Sequence, residues 1–282
     1  MTWRNSHPQL RFVEDIAKPN VAQNCTSKSS MDALPALLQQ LCIADVHNSL
    51  NLATVCHAYT INSECLAAFA QTTAPAPTAL ANAVLKRQVE FAAGRCCATQ
   101  ALRQLGYLGT PQIGIGAHRA PSWPEGYLGS ISHSQGWAVA LAGLSAEPAD
   151  RVCGVGQPSA HRMQGIGIDL EAILPNSTAQ CVARRIATSS ELGLGTAHGL
   201  AFETWVSLLF SAKESLFKAL YPTVGRYFHF LDAYVDELDL QQAELSLRLV
   251  QSLSAQHVAG QHYRIQFALG QHSLVTRCLF AT

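Results

Sequence analysis

The sequence predicts an α+β protein made of two halves, each with a helix packed on a few antiparallel strands. Two long segments, at 79–105 and 201–220, have apolar residues near helical spacing. Short segments with the alternation of half-buried strands accompany each of them. A polar, proline-containing connection at 145–164 separates the two groups and marks the boundary between the halves.

The N-terminal half, at 1–164, is expected to contain one long helix and one short strand. It begins with a variable segment at 1–75 in which no clear period is visible. Gly106 would end the helix, and the apolar run at 137–142 predicts the strand. The apolar positions that recur near helical spacing are Val84, Phe91, Ala98 and Leu102.

The C-terminal half, at 165–282, opens on an acidic strand at 165–171. An apolar loop at 172–200 then leads to the second long helix, which Pro222 and Gly225 are expected to stop. Alternating segments follow and predict antiparallel strands at 228–235, 245–250, 263–269 and 274–280.

Composition excludes several classes of protein. Among the 282 residues, Lys and Arg total 19 and Asp and Glu total 19, so the basic excess of a nucleic-acid-binding protein is absent. No apolar run is long enough to predict a membrane span. The nine cysteines contain no Cys-x-x-Cys pair, and the first residues lack the apolar core of a signal peptide. We therefore expect a cytoplasmic protein with reduced, mostly buried thiols.

The acidic strand places two carboxylates on one side. Side chains alternate along a strand, so Ile166, Ile168 and Leu170 would be buried on one face. The opposite face would carry Gly165, Gly167, Asp169 and Glu171. The glycines would leave room for a ligand near the backbone, and the carboxylates could share a hard cation such as Mg²⁺. The alternative is an edge strand with two solvated acids.

The second long helix supplies a third acid beside two cations. Ser207, Ser211, Glu214 and Lys218 fall on one helical stripe. The chain has five lysines, and two of them, Lys213 and Lys218, flank Glu214. This set suits a metal-bound pyrophosphate. The alternative is a surface Glu214–Lys218 pair worth about 0.3–0.5 kcal/mol.

Two further segments carry phosphate-binding residue types. Ser132 and His133 lie just before the predicted strand at 137–142, without the Gly-x-Ser-x-Gly elbow of a hydrolase, so phosphate contact is favoured over nucleophilic catalysis. A capped turn with a structural histidine is the alternative. Arg87 and Arg95 lie about two turns apart on the first helix and face roughly the same way, which suits phosphate binding. The alternative is a solvated helix face without a ligand.

In this order, these segments resemble the 4′-phosphopantetheinyl transferases, and most closely those of the siderophore-synthetase type. The resemblance runs from about residue 79 to the end and implies a pseudo-twofold fold with coenzyme A bound between the halves. The blocks that carry it are the helix at 86–95, the loop at 121–134, the strand at 165–171 and the helix at 205–218.

The resemblance also implies roles for individual residues. Asp169, Glu171 and Glu214 would hold Mg²⁺, with Mn²⁺ as a substitute. Ser132 and His133, with Lys86 or Arg87, would contact the 3′-phosphate of coenzyme A. The remaining expected contacts are Arg95 with a phosphate, Arg119 and Trp123 at the adenine end, and Lys218 at the pyrophosphate. Lys213 is expected at the pyrophosphate from its position beside Glu214.

The implied reaction transfers phosphopantetheine to a serine of an apo acyl or peptidyl carrier protein and releases 3′,5′-ADP. Lys218 would stabilise charge on the phosphates, and Glu214, directly or through a water, would accept the serine proton; the base stays open. We expect a monomer whose carrier docks near 172–200, where Arg184 and Arg185 could meet an acidic helix.

Two other functions fit the same residues. One is a Mg²⁺-dependent phosphohydrolase acting on CoA-like or nucleotide esters. The other is a non-catalytic protein that binds coenzyme A or a carrier. The pathway also stays open among siderophore, polyketide, nonribosomal-peptide and fatty-acid carriers.

Overall fold

The computed structural model describes residues 33–48, 51–71, 73, 80, 82–109, 111–145 and 163–281. Within these ranges the chain forms helices packed on small antiparallel sheets, which confirms the predicted α+β class. Most of the predicted connection at 145–164, and the first 32 residues of the variable segment, lie outside the described residues.

The N-terminal half has a three-stranded antiparallel sheet in the order β1-β5-β4, with α3 packed on β5 and β1. Its helices are α1 (Ala33–Asn48), α2 (Ser63–Ala70) and α3 (Leu85–Gln104). Its strands are β1 (Leu52–Ala58), β2 (Gly114–Ile115), β3 (Pro121–Ser122), β4 (Tyr127–Ser134) and β5 (Trp137–Leu144). Small residues on α3 allow a close approach to the sheet: a Cβ added at Gly94 would lie 2.8 Å from the Ile131 side chain.

The C-terminal half has a five-stranded antiparallel sheet in the order β6-β10-β9-β8-β7. The long helix α6 packs on one end of this sheet, against β6 and β10. The helices of this half are α4 (Asn176–Ile186), α5 (Ser189–Ala197) and α6 (Phe202–Val224). The strands are β6 (Met163–Ala172), β7 (Ala233–Asp239), β8 (Glu244–Leu249), β9 (His262–Leu269) and β10 (Ser273–Ala281).

Several predicted elements change their bounds. The stretch 172–200, predicted as a loop, contains helices α4 and α5. The segment at 127–134 is itself a strand, β4, rather than a loop before one. Helix α6 continues past Pro222, because a proline in the last turn removes only one donor, and it ends at Gly225 with φ 69°.

The glycines of β6 make room for α6, which corrects the expectation that they make room for a ligand. A Cβ at Gly167 would lie 1.8 Å from the Ser215 carbonyl oxygen. At Gly165 it would lie 2.8 Å from the Ala219 carbonyl oxygen of the same helix, and 2.1 Å from the Phe280 ring of β10. These glycines therefore bring α6 close to β6, and so bring the residues of α6 close to the acids of the strand.

The two halves meet where β4 lies beside β6, and serine hydroxyls bond the two strands. The Ile168 N–H donates to Ser130 Oγ at 3.0 Å, and the Leu170 N–H donates to Ser132 Oγ at 3.1 Å. The buried face of β6 then packs with β5, β9, β10 and the leucines of α1, as predicted for Ile166, Ile168 and Leu170. This boundary between β4 and β6, called the seam below, is therefore a packed and hydrogen-bonded junction.

Among the described helices, none combines the length and the apolar character that crossing a lipid bilayer requires.

Candidate active site

Asp169 lies at the centre of a buried polar cluster on β6. Its side chain is 5% exposed. Lys218 Nζ donates to Oδ1 at 2.6 Å and Ser132 Oγ donates to the same oxygen at 3.0 Å. Ser211 Oγ donates to Oδ2 at 2.7 Å. Residues from β4, β6 and α6 therefore converge on one carboxylate.

Lys218 joins α6 to the seam between the halves. Besides Asp169, its ammonium reaches the Ile168 carbonyl oxygen at 3.1 Å and Ser132 Oγ at 3.2 Å. An ammonium has three N–H donors, so each has an acceptor in this arrangement. The structure thus brings together Ser132, Asp169 and Lys218, three of the residues singled out from the sequence.

Glu171 and Glu214 lie close enough to this cluster to affect its charge. The pKa of Glu171 is well above its usual range, because burial disfavours the carboxylate and the charges of Asp169 and Glu214 add to that. Lys218 opposes the shift. The charge of Lys218 therefore acts on both Asp169 and Glu171. In the parts of the chain that the structure describes, no three acidic, histidine or cysteine side chains form a ready-made metal cage.

Ser132 and His133 point to opposite sides of β4, as alternation requires. Ser132 faces β6, whereas His133 faces α3, where its Nδ1 lies 3.9 Å from Glu90 Oε1. Lys86 Nζ lies 4.0 Å from the same oxygen. The structure therefore divides the residues expected at the 3′-phosphate: Lys86 and His133 share one side, and Ser132 belongs to the Asp169 cluster.

Glu90 was missed by the sequence reasoning, although it is only 8% exposed and lies between two expected phosphate contacts. Its charge adds to burial in raising the pKa of Tyr59. Its position four residues after Lys86 was the available signal, because i,i+4 pairs meet on a helix.

Arg87 and Arg95 both lie on α3. Burial lowers the pKa of Arg95 to about 10, and the positive charge of Arg87 adds to the effect. The Arg95 guanidinium lies over the Phe91 ring at 4.6 Å and donates to the Gly114 carbonyl oxygen at 2.9 Å. Its Nε is buried without a hydrogen-bond partner among the described residues.

Arg119 and Trp123 lie on the segment between β2 and β4. Arg119 has φ 66° in a short turn whose carbonyl oxygens accept hydrogen bonds from Tyr221 and Tyr227, each at 3.5 Å. Trp123 packs over Gly129, where an added Cβ would lie 2.5 Å from the indole. The turn that carries Arg119 is therefore tied to the C-terminal half.

Lys213 does not join this cluster, which corrects the expectation that it flanks a pyrophosphate with Lys218. Its side chain is 1% exposed, and Nζ donates to Glu191 Oε1 at 2.7 Å and to the Ile186 carbonyl oxygen at 2.8 Å. Residues five apart on a helix point about 140° away from each other. Burial lowers the pKa of Lys213, and Glu191 opposes the shift.

The sequence reasoning also did not identify Glu191 as important. It forms a capping box with Thr188 at the start of α5, and its Oε1 accepts a hydrogen bond from the Val235 N–H at 2.9 Å. A threonine followed three residues later by a glutamate is the pattern that predicts such a cap. This buried carboxylate is what fixes Lys213 away from the Asp169 cluster.

Two family models match the chain. The 4′-phosphopantetheinyl transferase N-terminal domain matches residues 76–143, and the 4′-phosphopantetheinyl transferase superfamily matches residues 165–273. Together these segments span more than half of the chain. The second includes the Asp169 cluster and the first includes α3 and the Ser132–His133 strand.

Curated relatives match half of the chain or somewhat more. Enterobactin synthase component D of Salmonella typhi is 37% identical over 140 residues, which are 50% of this chain and 51% of the relative. The 4′-phosphopantetheinyl transferase Svp of Streptomyces mobaraensis is 36% identical over 168 residues, 60% of this chain and 58% of the relative. The 4′-phosphopantetheinyl transferase PptT of Mycobacterium tuberculosis is 31% identical over 156 residues, 55% and 61% respectively.

The matches thus span between half and two thirds of the length of these relatives. Both halves of the structure contribute, and the residues that meet at the seam come from both matched segments. The chain belongs to the 4′-phosphopantetheinyl transferase superfamily.

Proposed function

We propose that this chain transfers the 4′-phosphopantetheine group of coenzyme A to a serine of an apo acyl or peptidyl carrier protein, releasing 3′,5′-ADP. The observation that carries the proposal is the Lys218–Asp169 ion pair of 2.6 Å, with Glu171 and Glu214 beside it, inside the segment that the superfamily model matches. The names of the relatives support the same reaction.

The acids of the cluster fit a hard divalent cation such as Mg²⁺. They offer only oxygen donors, and the charges of Asp169 and Glu214 add to burial in raising the pKa of Glu171, an effect that a bound cation would oppose. Mg²⁺ needs few protein carboxylates when waters and substrate phosphates complete its shell, so a ready-made cage is not required. Asp169, Glu171 and Glu214 would hold it, and Mn²⁺ would substitute. When bound, the ion neutralises pyrophosphate charge.

The basic face of α3 and the adjoining strand are suited to the phosphates of coenzyme A. Lys86, Arg87 and His133 lie on this side, and Arg95 has a buried Nε without a protein partner among the described residues. A guanidinium binds phosphate through paired N–H groups. We assign Lys86, Arg87, Arg95 and His133 to the 3′-phosphate of coenzyme A. Arg119 and Trp123 are assigned to its adenine end.

The residues around Asp169 suit the transfer step. Lys218 places a fixed positive charge beside the acids, where it stabilises charge that develops on the pyrophosphate. The serine hydroxyl of the carrier attacks the β-phosphorus, the bond from this phosphorus to the bridging oxygen breaks, and 3′,5′-ADP leaves. The proton of the serine passes to Glu214 or to a water that Glu214 orients. Ser132 is assigned to this cluster rather than to the 3′-phosphate, because its hydroxyl already bonds Asp169.

Carrier docking is assigned to the exposed side of α4. Arg184 and Arg185 lie in the last turn of this helix and are exposed, which suits an acidic carrier helix. Siderophore-type carriers are the first to test, because several relatives are enterobactin synthase components. We also propose that the protein acts as a cytoplasmic monomer.

The test is an incubation of the purified chain with coenzyme A, Mg²⁺ and a panel of apo carrier domains, followed by intact-mass spectrometry. A carrier mass gain of one phosphopantetheine group is expected, and EDTA should stop it until Mg²⁺ is restored. Asp169→Asn should abolish labelling while circular dichroism stays unchanged. Breakdown of coenzyme A without carrier would indicate the phosphohydrolase instead, and binding of coenzyme A without any turnover would indicate the non-catalytic protein.

A further inference from the structure

We propose that Ser211 is a positioning residue that fixes the carboxylate of Asp169 for the cation, and that Thr276 holds Ser211 in place. This inference rests on the proposed function, because it concerns the same metal site. Ser211 Oγ lies 2.7 Å from Asp169 Oδ2 and 2.9 Å from Thr276 Oγ1. Thr276 Oγ1 also donates to the Ser211 carbonyl oxygen at 2.8 Å.

The hydrogen bonds from Thr276 through Ser211 to Asp169 run in one direction. An ionised carboxylate only accepts, so the single hydroxyl proton of Ser211 goes to Asp169. Thr276 must then donate toward Ser211, to its hydroxyl oxygen or its carbonyl oxygen. In this arrangement Thr276 donates toward Ser211, and Ser211 donates to Asp169. Ser211 cannot donate to another group without losing its hydrogen bond to the carboxylate.

The two oxygens of Asp169 are used differently. Oδ1 accepts from both Lys218 and Ser132, whereas Oδ2 accepts only from Ser211 within the described part of the chain. A carboxylate oxygen has about two acceptor positions, so Oδ2 keeps one for a cation. Ser211 therefore holds the one oxygen of Asp169 that is still able to bind a metal ion.

Protein groups, and not bulk water, hold this carboxylate in the structure. Ser211 and Thr276 are 0% exposed and Asp169 is 3% exposed. Thr276 is the partner of Asp169 in the β10–β6 register, so two strands and α6 fix the geometry together. Without the Ser211 hydroxyl, the carboxylate would have donors on Oδ1 alone and would turn toward Lys218. Loss of such a partner typically weakens metal binding 10- to 100-fold.

Ser211→Ala tests the proposal by direct metal binding. Free Mn²⁺ is titrated with the full chain and followed by electron paramagnetic resonance, with and without coenzyme A. We expect the Mn²⁺ dissociation constant to rise about 10-fold or more. Binding of coenzyme A in EDTA should not change. Ser215→Ala is the matched control, because Ser215 is as buried on the same helix but donates to the Ala212 carbonyl oxygen.

A second pair of variants does not depend on Ser211→Ala being folded. Thr276→Val keeps the shape but loses the hydroxyl and should weaken Mn²⁺ binding less than Ser211→Ala does, whereas Thr276→Ser should bind as the wild type. Wild-type affinity in both Ser211→Ala and Thr276→Val, or an equal loss in Ser215→Ala, would overturn the proposal. If the wild type itself binds Mn²⁺ and transfers nothing, the proposed function fails while the positioning role stands.

Discussion

The ammonium of Lys218 lies 2.6 Å from Oδ1 of Asp169 and so connects the longest helix of the described chain to the first strand of the C-terminal sheet. The contact is possible because Gly167 lets the helix backbone approach the strand. Sequence positions 49 residues apart are thereby joined at the edge of the seam between the halves.

Removing the charge of Lys218 should reduce activity far more than stability. If the proposed function holds, Lys218→Gln removes the positive charge assigned to the pyrophosphate, and loss of one such group costs about 10²–10³ in rate. The measurement is kcat/KM for coenzyme A with a saturating carrier, together with the melting temperature. Arg264→Gln is the control, because Arg264 is 84% exposed in a surface pair with Glu244. Equal kcat/KM in the wild type and Lys218→Gln would remove Lys218 from the mechanism.

Removing the charge of Lys213 should act on stability instead. Lys213→Met leaves Glu191 buried without its cation, and breaking a buried pair in this way costs about 3–5 kcal/mol. The free energy of unfolding is measured by urea denaturation. The double variant Lys213→Met with Glu191→Gln should recover part of the loss, because the glutamine is neutral and still accepts a hydrogen bond from the Val235 N–H. A single variant as stable as the wild type would contradict the assignment.

The contrast between these two lysines marks what the sequence could and could not predict. Helical spacing correctly placed Glu214 and Lys218 on one face, because residues four apart meet locally. It could not reveal that Lys213 meets Glu191, since that contact depends on how α5 folds beside α6. The strand pattern likewise identified the buried face of β6. The use of its glycines, which approach α6 rather than a ligand, depends on packing between distant segments.

The same limit applies to Ser132. Its hydroxyl accepts from the Leu170 N–H and donates to Asp169, so both contacts cross the seam between the halves. Residue type and order predicted that Ser132 belongs to the functional region. Only the packing of β4 beside β6 decides that it joins the acids, while His133 faces α3.

Gly167→Ala should disrupt the contact between α6 and β6. The new Cβ would lie 1.8 Å from the Ser215 carbonyl oxygen, and backbone atoms cannot move aside as a flexible side chain can. Overpacking of this kind costs about 1–3 kcal/mol or more, and we expect the upper end. Chemical denaturation measures it. Gly193→Ala is the matched control, because an added Cβ there meets nothing within 4 Å, and this variant should be at least as stable as the wild type.

His257 should make the stability of the C-terminal half depend on pH. The residue is 3% exposed, and its ring nitrogens contact Thr223 Oγ1 at 2.6 Å and the Tyr263 hydroxyl at 2.7 Å. Burial lowers its pKa below the ordinary value of 6.5. The unfolded chain therefore binds more protons than the folded chain just below pH 6.5, so the free energy of unfolding rises with pH through this window.

The expected result is a stability that is complete above the pKa of the unfolded state and falls as the pH drops from about 7 toward 5. Urea denaturation at several pH values measures this slope for the wild type and for His257→Gln. The variant should be less stable at neutral pH, because glutamine does not reproduce both ring contacts, but its slope should be smaller between these pH values. His262 lies 3.7 Å from Asp236 and is a second histidine of this half that could contribute to the slope, so His262→Gln serves as the comparison. A slope that His262→Gln abolishes and His257→Gln leaves intact would assign the pH dependence to the exposed histidine instead.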